Sequence, residues 1–373
     1  MALKLLHTAD WQIGAPFSHI AGDAGAVLRE ERFAVVRRIA ALAAEREVDA
    51  VLVAGDVFDS NLVEMRTIHP LLDALDAYRG PWIMLPGNHD AALPESVWHR
   101  LARSGPPANL HLALEPQPLA LPAAQAVVLP APLTTRHTFE DLSAWMDAAS
   151  TPEGIFRLGL AHGSVEGCLP DQEEATNPIA AGRAGRARLD YLALGDWHGT
   201  RRIDERTHYA GTPEPDRPKD NDSGNVLLVE IERPGALPVV EPVAVGRYRW
   251  HRRTLDLTAA EPSAFNDLLD ALIGTLGPVE TTLLWLRLEG TVDLSGRAGL
   301  DLTLERWQAR LRHLDLDDAI RLAPSSAELA RLEDGSVLGQ TAMRLRDLAA
   351  SPEGDTAALA LRLLWQEQAK GAA

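Results

Sequence analysis

The chain has 373 residues, 46% of them hydrophobic and 24% charged, enough to bury a sizeable core and to form one large domain with an appendage or two domains. That composition excludes disorder, collagen-like repeats and a small disulfide scaffold, and the single cysteine, Cys168, cannot form an internal disulfide. Lysine and arginine number 36 against 53 aspartates and glutamates, a formal charge of −17, which argues against a protein that grips nucleic acid through a broadly basic surface. A protein that meets phosphates through metal ions, or whose partner supplies a basic groove, stays open. No run of 18 apolar residues occurs, and the opening MALKLLHTADWQ lacks the basic and hydrophobic regions of a signal peptide. The expectation is a cytoplasmic protein with no membrane partner.

In chain order, LKLLHTAD (3–10), DAVLVAGD (49–56), PWIMLPGN (81–88), AVVLPAPL (126–133), FRLGLAHG (156–163) and YLALGDWHG (191–199) each read as a strand running into a polar loop. Their near-continuous apolar character suits strands covered on both faces. Between them, 26–46 and 66–78 carry helical spacing (Val27, Leu28, Val35, Ile39, Leu42; Ile68, Leu71, Leu72, Leu75). HYAGT (208–212) then leads through a Pro- and charge-rich loop to NVLLVEIE (225–232), and RPGALP (233–238) breaks the chain. VAVGRYRW and HRRTLDL look like further strands. From about 245 a smaller α+β unit is expected: helix 261–274, strand 281–292, helix 300–313, strand 319–323. Helices at 336–349 and 355–369 close the chain. The class is α/β.

Polar residues gather just past the C-terminal ends of these strands. Asp10 and Gln12 follow the first, Asp56 and Asp59 the second, Asn88, His89 and Asp90 the third, and His162, Asp196 and His198 later ones. In α/β sheets ligands bind in the crevice outside the carboxyl ends of the strands, so these residues can converge. Carboxylate, carbonyl and imidazole donors in that mixture suit divalent metals, and two adjacent ions suit phosphoryl displacement.

The segments HTADWQIG (7–14), VAGDVFDS (53–60), LPGNHD (85–90), LAHGSVEG (160–167) and ALGDWHGT (193–200), followed by YAGTPEP (209–215), resemble the motif series of the calcineurin-like metallophosphoesterases. They are most similar to the DNA-repair exonuclease branch, the SbcD-like nuclease subunits. The resemblance covers about 230 residues. It implies a layered αββα sandwich over 1–240, an α+β capping domain over 245–335 and a helical partner-docking segment over 336–373. It further implies that Asp56 bridges two ions. Asp10, Gln12 and His198 would complete one ion's shell, and Asn88, His162 and Asp196 the other's. His89 falls at the catalytic histidine, with Asp90 placed to orient it.

Two positions depart from the family pattern: Gln12 stands where a histidine is usual, and Asp196 replaces the first histidine of the last motif. An amide oxygen is a weaker ligand than imidazole and a carboxylate a harder one, which shifts the expected metal toward Mn²⁺, with Mg²⁺ or Fe²⁺ as alternatives to it. The implied function is a DNA phosphodiesterase, an exo- or endonuclease subunit of a repair complex with an SMC-like coiled-coil ATPase, a homodimer being open. A metal-activated water would attack the phosphodiester with His89 assisting. A phosphodiesterase or phosphatase for small molecules, and a catalytically weakened scaffold subunit, are the alternatives.

Other residues have plainer readings. Trp82, Trp285, Trp307 and Trp365 sit in apolar patterns that read as core, whereas Trp11 and Trp197 lie between candidate ligands and could wall the site. His7 and His19 read first as structural, and Cys168 as inert. Arg183, Arg186, Arg188, Arg201 and Arg202 read as solvated surface or as contacts to a phosphate backbone. The terminal stripes (Leu338, Ala342, Leu345, Leu348; Ala358, Leu361, Leu364, Trp365) suit packing on their own domain or docking on a partner's coiled coil.

Overall fold

The structure, a computed structural model, describes residues 2–20, 22–168, 176–258, 260–261, 264–323, 325, 337–349, 351 and 354–371. It divides into two compact units, Met1–Tyr248 and Arg249–Ala373.

In the first unit the chain runs β1 (Leu3–Thr8), α1 (Ala24–Glu45), β2 (Ala50–Val53), α2 (Met65–Ala74), β3 (Trp82–Met84), α3 (Val97–Arg103) and β4 (Leu110–Leu112). It continues through β5 (Leu119–Leu121), β6 (Ala126–Ala131), β7 (Phe156–His162), β8 (Ser164–Val165), β9 (Pro178–Ile179), α4 (Arg183–Arg186) and β10 (Tyr191–Gly195). β11 (Arg201–Arg202), β12 (Thr207–Tyr209), β13 (Asn225–Ile231) and β14 (Val239–Ala244) complete it. Two six-stranded sheets result, ordered β14-β13-β1-β2-β3-β4 and β11-β12-β10-β7-β6-β5. Strands β1 to β4 are parallel, as are β6, β7, β10 and β12, while the pairings β1–β13, β13–β14, β5–β6 and β11–β12 are antiparallel.

Side-chain alternation along a strand sorts each residue to one of two layers. In β1, Leu3 and Leu5 enter the core between the sheets with Leu52, Ile83, Val128, Leu158, Leu160 and Tyr191. Leu6 points the other way, into a core with Val35, Val36 and Ile39 of α1, Ile68 and Leu71 of α2, and Trp98 of α3. A smaller cluster (Leu129, Met146, Ala184, Leu189, Leu192, Leu194) covers the outer face of the second sheet. The layering is the αββα sandwich expected for this class, and coverage on both faces explains the unbroken apolar runs.

The second unit is a three-stranded parallel sheet, β15 (Arg249–Asp256), β16 (Thr282–Val292) and β17 (His313–Leu322), with helices α5 (Phe265–Gly274) and α6 (Leu294–Gln308). Leu269, Ile273, Leu284, Leu286, Leu288, Leu300 and Trp307 form its core. Two elements start six residues earlier than the sequence reading expects. α6 begins six residues before the expected 300, because Asp293 caps it by accepting from Gly296 N at 2.7 Å. β17 begins at His313 rather than 319, since Leu314 and Leu316 alternate with exposed aspartates along a solvated strand. The closing helices α7 (Val337–Ala349) and α8 (Asp355–Gly371) lie in this unit, where Ala342 and Leu361 pack with Leu294 of α6. Leu338 and Leu348 stay outward, 49% and 58% exposed.

Candidate metal centre

The site is built where parallel register carries on past the ends of β1 and β2. Asp10 N donates to Gly55 O, Gln12 N to Asp56 O and Ile13 N to Val57 O at 2.9–3.0 Å, so the two loops run side by side. Asp10, Gln12, Asp56 and Asp196 all adopt left-handed backbone, with φ of 54, 50, 52 and 101°. Such conformations cost non-glycine residues roughly 1–3 kcal/mol each and persist only where the surroundings enforce them. Close approach adds a glycine requirement. A Cβ on Gly55 would lie 2.3 Å from His162 Nδ1, and one on Gly87 2.2 Å from Asp56 Oδ1.

Asp10, Asp56 and His162 are all buried and offer donor atoms within 4.8 Å of one another, a candidate metal site. Asp56 Oδ1 accepts from His89 N at 2.9 Å and lies 3.5 Å from His162 Nε2. His162 Nδ1 faces the Ala54 carbonyl at 2.8 Å, so that nitrogen carries the proton. Its Nε2 then faces only acceptors: Asn88 Oδ1 at 2.9 Å, Asp56 Oδ1 at 3.5 Å and Asp196 Oδ1 at 3.8 Å. Three oxygens around one imidazole nitrogen demand a positive charge. Burial depresses the His162 pKa, but the carboxylates of Asp56, Asp10 and Asp196 outweigh it and raise the value to about 9. A divalent cation answers the same demand.

Asp10 makes the case independently. Its Oδ1 accepts from Asp196 N at 3.1 Å, while the fully buried Oδ2 has no hydrogen-bond partner among the described residues. Burial pushes the Asp10 carboxyl up to about 6. An orphaned carboxylate oxygen beside two further carboxylates is a donor set that fits a divalent ion.

The remaining expected residues fall as follows. Gln12 is buried and its amide Nε2 donates to Asp56 Oδ2 at 2.9 Å, so the atom engaged is the amide nitrogen, which cannot ligate a metal. Asp196 Oδ2 accepts from Ser164 Oγ at 2.9 Å, which leaves Oδ1 facing His162. His198 Nδ1 lies 3.3 Å from Asp216 Oδ2, an ion-pair distance without hydrogen-bond alignment. Burial lowers the His198 pKa, but Asp216 and Asp10 together raise it. The side chain of His89 is 38% exposed, its Nδ1 meets the Asp59 carbonyl at 2.9 Å, and its Nε2 lies 4.0 Å from Asp56 Oδ2. Asp90 was expected to orient that ring, but its contacts run elsewhere. Its buried carboxylate accepts from Gly87 N and Phe58 N and braces two site loops. The ring of His89 is oriented by a backbone carbonyl instead.

Asp216, Ser164 and the Asp59 carbonyl are the contributors that sequence reasoning missed. A reading of YAGTPEP that ran one residue further would have reached Asp216. Trp11 is core rather than wall, with Nε1 donating to Thr8 Oγ1 and the ring edge-on to Trp82. Trp197 is half-buried with the Arg201 guanidinium over it. His7 is sealed between the sheets against Tyr191 OH and Leu194 O, whereas His19 is exposed. Arg183 is buried in ion pairs with Asp141 and Asp147 and has no reach to a substrate phosphate. Cys168 is half-buried against the outer cluster of the second sheet.

Residues 3–178 match the family model of the calcineurin-like phosphoesterases. Among individual proteins, the chain is similar to the DNA double-strand break repair protein Mre11 of Aeropyrum pernix, at 28% identity over 277 residues. That alignment covers 68% of this chain and 64% of the relative. The SbcD subunit of the nuclease SbcCD from Rhodobacter capsulatus is 33% identical over 108 residues, 26% of this chain and 25% of its own. Its Bacillus subtilis namesake is 28% identical over 92 residues, 24% and 22% respectively. The chain therefore matches just under two thirds of the first relative's length and about a quarter of the others'.

Proposed function

We propose that this chain is a divalent-metal-dependent phosphodiesterase acting on DNA, as the nuclease subunit of a repair assembly. The observation that carries the reading is His162 Nε2, faced by three oxygens and no donor, beside the orphaned Asp10 carboxylate. Asp56 is the shared carboxylate, Asn88, His162 and Asp196 serve one ion, and Asp10 and His198 the other, with the Gln12 amide nitrogen holding Asp56 in place. Oxygen-rich donors favour Mn²⁺, Mg²⁺ or Fe²⁺. When bound, such a pair supplies charge neutralisation for the phosphate oxygens and lowers the pKa of water.

The chain's own residues do the rest. His89, half-exposed at the rim and held through Nδ1 by Asp59 O, presents Nε2 toward the site to pass a proton to the departing oxygen. Asp90 keeps the Asn88–His89 turn in place by gripping Gly87 N and Phe58 N. Ser164 directs Asp196 inward. The names of the relatives support DNA as the substrate and a subunit role. The partner would be an SMC-like coiled-coil ATPase docking on α7 and α8, whose outward Val337, Leu348 and Leu363 are 80%, 58% and 50% exposed. No helix among the described residues is long and apolar enough to cross a membrane.

The test is hydrolysis of end-labelled DNA by the purified chain with Mn²⁺, Mg²⁺ or EDTA. Metal-dependent degradation abolished by EDTA is expected. Turnover of bis-p-nitrophenyl phosphate with intact DNA would replace DNA by a small diester, a substrate easier to reconcile with a charge of −17. Bound metal without turnover of either would leave a scaffold.

A further inference from the structure

The loop that follows β12 is anchored more firmly than its Pro- and charge-rich sequence suggests. Thr212 N donates to the His198 carbonyl at 3.0 Å. Arg32 of α1, fully buried, donates through Nη1 to Thr212 Oγ1 at 3.1 Å and to the Glu214 carbonyl at 2.7 Å. The buried Glu214 carboxylate accepts from Arg247 N and Tyr248 N, both at 2.8 Å, and from Arg38 Nη2 at 3.2 Å. Two residues later this anchored loop delivers Asp216. Arg217 Nε donates to Asp216 Oδ1 at 2.9 Å, and Asp216 Oδ2 stands 3.3 Å from His198 Nδ1.

We propose that Asp216 is a positioning residue for the metal centre: it holds the proton of His198 on Nδ1 and so turns Nε2 into the ligating atom. The inference rests on the metal-dependent reading above. An imidazole has two ring nitrogens, and which one ligates is set by what the other donates to. Among the described residues Asp216 supplies the one carboxylate within 4 Å of His198 Nδ1. His198 sits in a loop just after Asp196, whose left-handed backbone is already enforced, so local chain geometry alone does not select a ring orientation. His162 shows the same arrangement built from a different acceptor, the Ala54 carbonyl. Each imidazole of the centre thus has an oxygen facing Nδ1, the buried Ala54 carbonyl at hydrogen-bond distance from His162 and the half-buried Asp216 carboxylate at ion-pair distance from His198, which leaves each Nε2 for the ion. The anchoring explains how a carboxylate on a surface loop can do this. Arg32 and Glu214 pin the loop on both sides of Pro213, and Arg217 holds the carboxylate from the solvent side.

The experiment uses the full chain labelled with ¹⁵N. Histidine ring signals are read by long-range ¹H–¹⁵N correlation without metal, and Mn²⁺ affinity by titration calorimetry. In the wild type His198 should carry its proton on Nδ1. Asp216→Ala should move the proton toward Nε2 and weaken one Mn²⁺ site by roughly 10- to 100-fold. Asp216→Asn, which keeps an acceptor oxygen, should recover most of both. A general loosening of the loop would not be rescued by the amide and would not change the tautomer. An Asp216→Ala protein that melts cooperatively, keeps the proton on Nδ1 and binds Mn²⁺ within about twofold of wild type overturns the proposal. If Asp216→Ala does not fold, Asp216→Leu, which also removes the acceptor, decides, and a proton kept on Nδ1 with Mn²⁺ affinity within about twofold of wild type overturns it. A wild type that binds no Mn²⁺ overturns it together with the metal reading. Mn²⁺ affinity that falls as expected in a protein that leaves DNA intact supports Asp216 while refuting DNA as substrate.

Discussion

His7 should make this fold acid-sensitive, by an amount that its burial fixes. The ring is fully buried between the two sheets, Nδ1 on Tyr191 OH at 2.9 Å and Nε2 near Leu194 O at 3.1 Å. Burial, with a smaller contribution from nearby His208, lowers its pKa from 6.5 to about 3. The folded chain therefore keeps His7 neutral where the unfolded chain protonates it. The sign follows directly: stability is complete above about pH 6.5 and falls as pH drops from there toward 3, since the unfolded state binds the extra proton. At pH 5 the shift from 6.5 to about 3 is worth about 2 kcal/mol. His208, stacked on Tyr191 and itself lowered to about 4 by burial and by Arg202, titrates in the same direction. The comparison is between wild type and His7→Gln, which cannot titrate yet can still hydrogen-bond on both sides. Urea unfolding of both proteins at pH 7.5 and pH 5 gives two pH-dependent losses. His208 and the carboxylates of the site contribute to both proteins, so their difference isolates His7. Wild type should lose about 2 kcal/mol more than the variant over that interval. Equal losses would show that His7 is not held neutral and would refute the burial argument.

Three predictions concern the site. Asp56→Ala should abolish both Mn²⁺ binding and hydrolysis, because Asp56 is the carboxylate shared by both ions, and two tightly bound ions in the variant by metal analysis would contradict this. His89→Ala should keep its metal and lose at least about 100-fold in turnover; loss of metal with unchanged turnover per bound ion would make His89 a ligand. Gln12→His should exchange a donor to Asp56 for an imidazole ligand and move half-activation to lower Mn²⁺ in a titration under one buffer. Identical half-activation concentrations would show that position 12 does not ligate.

The strands and their layering were legible because burial on both faces writes itself as unbroken apolar runs, in β2 and β10 for example, where every residue is buried. Element edges were less legible where a cap or a solvated alternation decides them. The helix is read only from 300 because Ser295, Gly296 and Gly299 dilute the helical pattern before that point, yet Asp293 caps α6 at Leu294. Leu314–Asp318 falls between the expected helix and strand because Asp315, Asp317 and Asp318 are acidic and exposed there. Polar residues past the strand ends marked the site by position, since a parallel sheet brings those ends together whatever the loops contain. What position along the chain does not encode is the partner of each polar atom. Asp90 follows His89 directly, which suggests that one orients the other, but adjacent residues send their side chains in different directions, and Asp90 reaches Phe58 N, 32 residues away. Arg32 meets Thr212 across 180 residues, and Asp216 meets His198 from a loop whose Pro213, Pro215 and Pro218 read only as a turn. Gln12 shows the same limit at a single residue. Its position beside Asp10 suggested a ligand through its oxygen, while the fold directs its nitrogen to Asp56. An amide can do either, and the choice is made by the carboxylate opposite, which only the register between the β1 and β2 loops brings within reach.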